Sequence, residues 1–241
     1  MSTSKRHKPQ TFSKSTFYFM GLFALALAGF WPTYFAKFFD GTADFTFYLH
    51  FHAVLAVLWI LFLIVQPLLI RKKQFVLHRA IGKFSYILVP LIFLSITLLA
   101  HSRITGEEEN LGLSLWIPFK DLIIFTFGYG VAIKYRKTMP IHARGMIVAG
   151  IVLIEPALAR LIMNTFFADG GFIPAGYLTS IGLLYSLLII LIIAERKEKK
   201  GRWVFPVTLG LYIFVHSVIV LQYSVPGWQA LAKWFAGLPL T

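Results

Sequence analysis

The stretch HAVLAVLWILFLIVQPLLI, residues 52–70, contains no acidic or basic side chain other than His52. At a rise of about 1.5 Å per residue, a helix of this length is about as long as the hydrocarbon core of a bilayer is thick. The next three residues, Arg71, Lys72 and Lys73, form the kind of basic cluster that flanks membrane helices. This stretch therefore predicts a helix that spans a membrane.

The composition of the whole chain agrees with this prediction. Of the 241 residues, 58% are hydrophobic and 14% are charged, whereas a soluble domain has about 25% charged residues. The absence of cysteine excludes disulfides, thiolate metal sites, iron–sulfur clusters and thiol catalysis. The sequence leaves no long polar segment for a separate soluble domain. We therefore predict an all-α fold, a polytopic bundle of membrane helices.

Seven apolar segments of about 20 residues recur along the chain, and each is expected to form a transmembrane helix. The first contains ALALAG, but its apolar run continues to Phe39, which is too long for a signal peptide. The predicted organisation is a basic cytoplasmic tail (1–15), a seven-helix membrane domain (16–223) and a C-terminal tail (224–241). The predicted helices span residues 16–38, 46–70, 80–101, 114–133, 143–163, 173–194 and 203–223.

The basic residues predict the orientation of the bundle. Eighteen of the 23 Lys and Arg residues lie in the N-terminal tail and in the connections 71–83, 134–144 and 196–202, and the intervening connections are acidic or neutral. Basic connections remain in the cytoplasm, so the N-terminus is predicted inside and the C-terminus outside. The net charge of +13 is thus a signal of topology and of contact with anionic lipid, and it argues against nucleic acid as a partner.

The C-terminal tail carries large apolar residues at helical spacing on one side. This pattern predicts a short amphipathic helix that lies in the outer membrane interface, with a disordered tail as the alternative. The apolar side consists of Trp228, Leu231, Trp234, Phe235 and Leu238.

Ionisable residues inside membrane helices are costly and by default mark function. With the predicted helix directions, five of them lie at one level, about 8–12 Å below the outer boundary of the hydrocarbon core. A shared depth on four helices predicts either a polar pocket open to the outside or a structural charge cluster. The five residues are His52, Lys120, Asp121, Glu155 and His216, with His101 and Arg160 just above them.

Two histidines two residues apart cannot serve one site on a helix, because their side chains point about 200° apart. His52 shares a stripe with Trp59 and Gln66, and this stripe is expected to face the interior of the bundle and line the pocket. His50 lies closer to the headgroups and is expected to extend toward them. We therefore assign His52, and not His50, to the pocket.

Two further histidines, each close to an arginine, open helices on the predicted cytoplasmic side. They are His78 with Arg79 and His142 with Arg144. Basic residues at this boundary anchor a helix to anionic lipid. The alternative is a second cofactor held between His78 and His142.

The stretches HAVLAVLWILFLIVQPLLIRKKQFVLHRAIGK (52–83) and MPIHARGMIVAGIVLIEPALAR (139–160) resemble an uncharacterised family of bacterial multi-pass membrane proteins, grouped as a domain of unknown function. The resemblance covers roughly half of the chain, and its most distinctive element is His-Arg-x-x-Gly after a basic turn. It implies a protein of the bacterial inner membrane and supplies no established activity. The matching residues are His52, Gln66, His78, Arg79, Gly82, His142, Arg144, Met146 and Arg160.

The leading functional hypothesis is a haem b electron-transfer protein with an unidentified redox partner. Histidines from facing helices can hold haem iron, so His52 and His216 form a candidate axial pair, with His101 as a substitute. Lys120 or Arg160 would then meet the haem propionates. Histidines paired at both faces are also the layout of cytochrome b561-type proteins, an analogy at the level of the fold alone.

Three alternatives use the same polar layer. A zinc-dependent intramembrane hydrolase would bind the metal through His52, His216 and either Asp121 or Glu155, and the other carboxylate would be a general base. A proton-coupled transporter or a ligand-binding protein would use the layer to relay protons or to hold a small anionic solute. In a structural or assembly subunit the layer would only fix the packing of the helices. These alternatives leave open whether the protein is an enzyme.

Overall fold

A computed structural model describes residues 15–167, 173–223 and 225–241 of the chain. Every regular element in these ranges is a helix, which confirms the predicted all-α class. Residues 1–14 of the predicted basic tail lie outside the described part. The helices are α1 (Ser15–Phe30), α2 (Phe47–Arg71), α3 (Phe75–Gly82), α4 (Ser85–His101), α5 (Leu111–Lys134), α6 (Met139–Ile151), α7 (Ile154–Phe166), α8 (Ile173–Ala194), α9 (Val204–Val220) and α10 (Trp228–Ala236).

In the described part of the chain, six helical segments are long and apolar enough to cross a membrane, so the chain is a multi-pass membrane protein in contact with lipid. Irregular helical turns extend α1 to Phe38, while α3 continues into α4 and α6 into α7. The apolar helix α9 has 17 residues and is shorter than each of these six segments. The six segments are Ser15–Phe38, Phe47–Arg71, Phe75–His101, Leu111–Lys134, Met139–Phe166 and Ala175–Ala194.

Two helical segments begin four or five residues earlier in the structure than the sequence predicted. The third segment starts at Phe75 instead of residue 80, and the fifth starts at Met139 instead of residue 143. The predicted starts left out His78, Arg79 and His142. Long basic side chains are compatible with the end of a membrane helix, because their aliphatic parts lie along apolar surface while the charge reaches the polar boundary.

The helices α5 and α6 cross with their backbones close together. Gly128 and Ala132 on α5 face Gly145 and Ala149 on α6, so each helix contributes two small residues four positions apart. A Cβ atom on Gly145 would lie 2.6 Å from both the amide nitrogen of Ala132 and the carbonyl oxygen of Gly128. In lipid no hydrophobic effect drives helices together, so close van der Waals packing of this kind is a main source of their association.

The other helices surround this pair. α9 packs against α5, α6 and α8, and α2 packs against α1, α4 and α6. α1 crosses α7 closely at Gly29, where a Cβ atom would lie 2.2 Å from the carbonyl oxygen of Ala157. Asn164 of α7 donates a hydrogen bond of 3.2 Å to the Gly29 carbonyl at the same crossing. The α6–α7 segment therefore contacts helices on several sides and lies at the centre of the bundle.

This central segment is interrupted between α6 and α7. Pro156 has no amide hydrogen, and its ring collides with the carbonyl of Val152 in a straight helix. The chain passes through two turn residues, Val152 and Leu153, and the Leu153 amide donates to the Gly150 carbonyl at 3.1 Å. α7 consequently begins inside the bundle, with Glu155 in its first turn, where the helix dipole favours a negative charge.

The predicted C-terminal helix is present as α10, and it packs against α5. The Gln229 side chain accepts a hydrogen bond of 3.0 Å from the amide of Gly112, one of the amides at the start of α5 that have no partner within their own helix. Phe235 is buried, whereas Leu231 and Trp234 on the predicted apolar side are exposed. α10 thus caps α5 with one part of its apolar surface and leaves the rest uncovered.

The crossing of α5 and α6 leads to a test of stability. We expect Gly145→Ala to lower the free energy of unfolding by about 1–3 kcal/mol, because the added methyl group meets backbone atoms that cannot move aside. Gly130→Ala is the matched control, since its added Cβ meets nothing within 4 Å. Thermal unfolding of the detergent-purified variants, followed by tryptophan fluorescence, measures the difference. Equal midpoints for the two variants would contradict the close crossing.

Candidate functional site

The structure joins four of the five residues in the predicted polar layer into one network. Lys120 and Asp121 come from α5, Glu155 from the first turn of α7 and His216 from α9. The fifth, His52, lies on α2 and has a different hydrogen-bond partner.

The centre of the network is the ammonium group of Lys120. Its Nζ lies 2.7 Å from Oδ1 of Asp121 and 2.7 Å from Oε1 of Glu155. Lys120 is 1% exposed and Glu155 is 3% exposed, so the ion pair with Glu155 is shielded from lipid and water alike. Removing a charge from water costs several kcal/mol unless a partner compensates it. The two carboxylates supply that compensation and tie α5 to α7.

The network continues from Glu155 to His216 and Tyr185. His216 Nε2 lies 3.0 Å from Oε2 of Glu155, and its Nδ1 lies 3.1 Å from the hydroxyl of Tyr185 on α8. An ionised carboxylate only accepts hydrogen bonds, so the Nε2–H group of His216 donates to Glu155. In the neutral imidazole, Nδ1 then accepts a hydrogen bond from the Tyr185 hydroxyl. The result is a continuous hydrogen-bonded chain from α8 through α9 and α7 to α5.

His52 makes its hydrogen bond outside this network. Its Nδ1 lies 3.1 Å from the hydroxyl oxygen of Ser95 on α4. His52 and Asp121 both line a cavity of about 40 Å³ that is otherwise apolar. A cavity of this size has room for one or two water molecules. Asp121 therefore contacts Lys120 in the buried network and also lines a small cavity together with His52.

These contacts bear on the haem and zinc hypotheses. Both ring nitrogens of His216 are hydrogen-bonded, so binding a metal would require one of these bonds to break. Among the described residues, no group of three or more His, Asp or Glu side chains is arranged to hold a metal ion. The ammonium of Lys120 also lies between the two carboxylates that the zinc hypothesis needs as ligand and base. The donors and acceptors of this network are thus already paired with one another.

Two other predicted pocket residues make their contacts elsewhere. His101 Nδ1 lies 2.6 Å from the hydroxyl oxygen of Thr241, and its ring packs edge-on against Phe235, so it holds the C-terminal segment. The guanidinium of Arg160 lies over the ring of Phe30, 4.5 Å from its centroid. Neither side chain is part of the hydrogen-bonded network around Lys120, and the contact of Lys120 or Arg160 with haem propionates stays a prediction.

The stripe on α2 faces the interior as predicted. Trp59 is fully buried, and its indole nitrogen donates a hydrogen bond of 3.2 Å to the Ala149 carbonyl of α6; Gln66 is also buried. His50 is half-buried, and its Nδ1 lies 2.8 Å from the hydroxyl of Tyr34. Aromatic neighbours hold His50 within the protein, which differs from the expected free extension toward the headgroups.

We call the end of the bundle that carries the basic connections the basic end. The position of Arg144 at this end corrects one prediction. Arg144 was expected to anchor α6 to lipid, but it is 1% exposed. Its guanidinium pairs with the carboxylate of Glu195 and donates to the carbonyls of Pro140 and Lys200 at 2.8 and 3.0 Å. These partners lie inside the fold, so Arg144 connects α6 to the end of α8. Arg79 is exposed, as an anchor to lipid requires.

His78 and His142 are neighbours at the basic end. Their ring centroids lie 6.4 Å apart, with the ring planes at 87°. The Nδ1 atom of His142 lies 2.8 Å from the carbonyl oxygen of Ala132 on α5. Thirteen positions separate His142 from Glu155 along the central segment, a distance of about 20 Å. The protein thus has two separate polar sites.

Several partners in these sites were not identified from the sequence. Tyr212 precedes His216 by one helical turn and therefore lies on the same face of α9, where its ring packs 5.4 Å from the imidazole. Tyr185 and Ser95 look like ordinary residues of apolar helices, because a single hydroxyl hardly changes hydropathy. Glu195 offered a clearer signal, since it is an acidic residue beside a strongly basic connection.

The buried ion pair leads to a second stability test. Lys120→Met would leave Asp121 and Glu155 without a countercharge, and we expect it to destabilise the protein by about 3–5 kcal/mol. Adding Glu155→Gln should recover part of the loss, because it removes one of the two uncompensated charges. Lys233→Met, at an exposed position on α10, is the control. Thermal unfolding in detergent measures the effect, and an unchanged midpoint for Lys120→Met would contradict the proposed compensation.

Comparison with known proteins gives no relative for this chain. No family model matches its sequence, and no curated protein or solved structure matches it. The function is therefore argued from the geometry of the protein itself.

Proposed function

We propose that the protein is a proton-coupled membrane transporter whose proton-binding centre is the network of Lys120, Asp121, Glu155 and His216. The observation that supports this proposal best is the fully buried salt bridge between Lys120 and Glu155, extended by the hydrogen bond to His216. Ionisable residues that face the interior of a membrane bundle and pair with one another are typical of ion and proton pathways.

The charge balance of the network suits the binding of one proton. With both carboxylates ionised and His216 neutral, the four side chains carry a net charge of −1. One proton on Asp121, Glu155 or His216 makes the group neutral, and an apolar surrounding favours neutrality. The hydrogen-bonded chain offers that proton several acceptors at contact distance. Uptake and release of a single proton is thus the simplest reaction of this site.

The interrupted central segment connects protonation to movement. Transporters commonly use discontinuous helices, with the ends of half-helices at the binding site near the middle of the membrane. Here Glu155 lies in the first turn of α7 and bonds to both α5 and α9. Protonation of Glu155 would weaken both contacts, and α7 could then shift relative to its neighbours at the break after α6.

The orientation of the protein is part of the proposal. We take α9 as the seventh membrane helix, with the N-terminus in the cytoplasm and α10 in the outer interface, since the basic connections alternate along the chain. The proton-binding centre then lies nearer the outside. The location of the protein in a bacterial inner membrane stays a prediction, and so does its membership of the family that the sequence resembles.

Infrared difference spectroscopy of the reconstituted protein between acidic and alkaline pH tests proton binding directly. We expect a carbonyl band of a protonated, buried carboxyl group that appears on acidification. Glu155→Gln or Asp121→Asn should remove or shift this band, whereas Glu108→Gln, in an exposed connection, should leave it unchanged. A structural subunit would contain the same salt bridges without exchanging protons, so a spectrum without this band at any pH would favour that alternative.

Transport itself can be tested in liposomes that contain a pH-sensitive dye and a panel of small anionic solutes. We expect one class of solute to accelerate the collapse of an imposed pH gradient with the wild-type protein. Glu155→Gln should slow this coupled flux at least tenfold, because it removes a proton acceptor at the centre of the network, and Glu108→Gln should not. Solute uptake that is equally fast without a pH gradient would contradict proton coupling.

A further inference from the structure

The second polar site, at the basic end, contains a histidine that is oriented like a metal ligand. The carbonyl oxygen of Ala132 only accepts hydrogen bonds, so Nδ1 of His142, at 2.8 Å, carries the hydrogen. The lone pair of this imidazole is therefore on Nε2. A hydrogen bond from the remote nitrogen to a backbone carbonyl is the usual support of a histidine that binds a metal.

The spacing of the two rings matches a metal ion bound between them. A metal–nitrogen bond is about 2.0–2.1 Å long and the nitrogen lies about 1.2 Å from the ring centre, so two imidazoles on opposite sides of one ion have centroids about 6.4 Å apart. The rings of His78 and His142 lie 6.4 Å apart. At a tetrahedral angle, the same bonds would give a spacing of about 5.3 Å. The observed spacing leaves room for one metal ion between the rings, whose planes lie edge to face at 87°.

Unpartnered polar atoms beside the histidines also point to a ligand. Gln66 is 7% exposed, and neither atom of its amide has a hydrogen-bond partner among the described residues. A Cβ atom on Gly82 would lie 3.9 Å from Oε1 of Gln66, and Gly82 follows His78 by one turn on the same face of α3. Nδ1 of His78 is buried and makes no hydrogen bond of normal geometry among the described residues, although the ring interacts with the backbone of Gln66. Buried polar groups are normally satisfied, so their concentration here requires an explanation.

We propose that His78 and His142 bind one transition metal ion between them, in a linear arrangement, at the basic end of the bundle. Two neutral imidazoles without a carboxylate suit a metal with a preference for nitrogen ligands and do not suit Mg²⁺ or Ca²⁺. A linear pair of imidazoles is found with Cu(I) and with the iron of haem, which share this chemistry. Both rings are half-buried, so an ion can reach them from the basic end.

Metal binding by the purified full-length protein tests the proposal. Binding of Cu(I) is measured by titration in competition with a chromophoric chelator. Binding of haem is measured separately, by the absorption spectrum of protein expressed with a supply of haem. We expect one equivalent of either Cu(I) or haem per chain. His78→Gln and His142→Gln should each weaken this binding at least tenfold, because an amide is a poor ligand for these metals. His50→Gln, which changes a histidine at the opposite end, is the matched control and should bind as the wild type does.

The two sources give different signatures. Haem would give a Soret band, and the ring planes at 87° predict a highly anisotropic low-spin signal of the ferric form in electron paramagnetic resonance. Cu(I) would give a colourless protein that retains copper against the chelator. Thermal unfolding of each variant shows whether its fold is intact, and glutamine in place of His142 can still donate to the Ala132 carbonyl.

Two results would overturn the proposal. One is a wild-type protein that binds neither Cu(I) nor haem in a one-to-one ratio. The other is equal binding by the wild type and by folded His78→Gln and His142→Gln variants. The site lies about 20 Å from Glu155, so loss of metal binding in these variants should leave the infrared titration of the proton-binding centre unchanged.

Discussion

The ammonium group of Lys120 imposes the main constraint on this fold, because a charge in the interior of a membrane bundle needs opposite charge in contact with it. Asp121 is its neighbour in sequence, but Glu155 has to be brought from another helix. The second oxygen of Glu155 then needs a donor, which His216 supplies from α9, and His216 in turn contacts Tyr185 on α8. One cation thereby determines which faces of four helices meet.

Two local features make these contacts geometrically feasible. The glycines at positions 128 and 145 let α5 and α6 approach until their backbones nearly touch, which places the fifth segment beside Lys120. Pro156 then interrupts that segment and starts a new helix at the level of the ammonium. Glu155 gains both a lysine and the dipole of α7. In the proposed transport mechanism, this break is the point at which the bundle bends when the charge on Glu155 changes.

The central segment also connects the two polar sites. Its first half, α6, carries His142 near the basic end, and its second half, α7, carries Glu155 near the level of His216. The two sites contain different groups. One holds an ammonium, two carboxylates and an imidazole, and the other holds the two imidazoles of His78 and His142. Arg144 is buried and paired with Glu195, and this ion pair holds α6 to the end of α8 at the basic end.

Hydropathy by itself determined the all-α class and the approximate positions of the apolar helices, because burial in lipid and the rise of a helix act along the chain. It also predicted a shared depth for the ionisable residues. It also placed Trp59 and Gln66 on an interior stripe. Only the tertiary structure decided which residues touch, since the rotation and neighbours of each helix depend on close packing at small residues. That is why His52 meets Ser95 while His216 meets Glu155, why Arg144 is buried rather than bound to lipid, and why His78 lies beside His142.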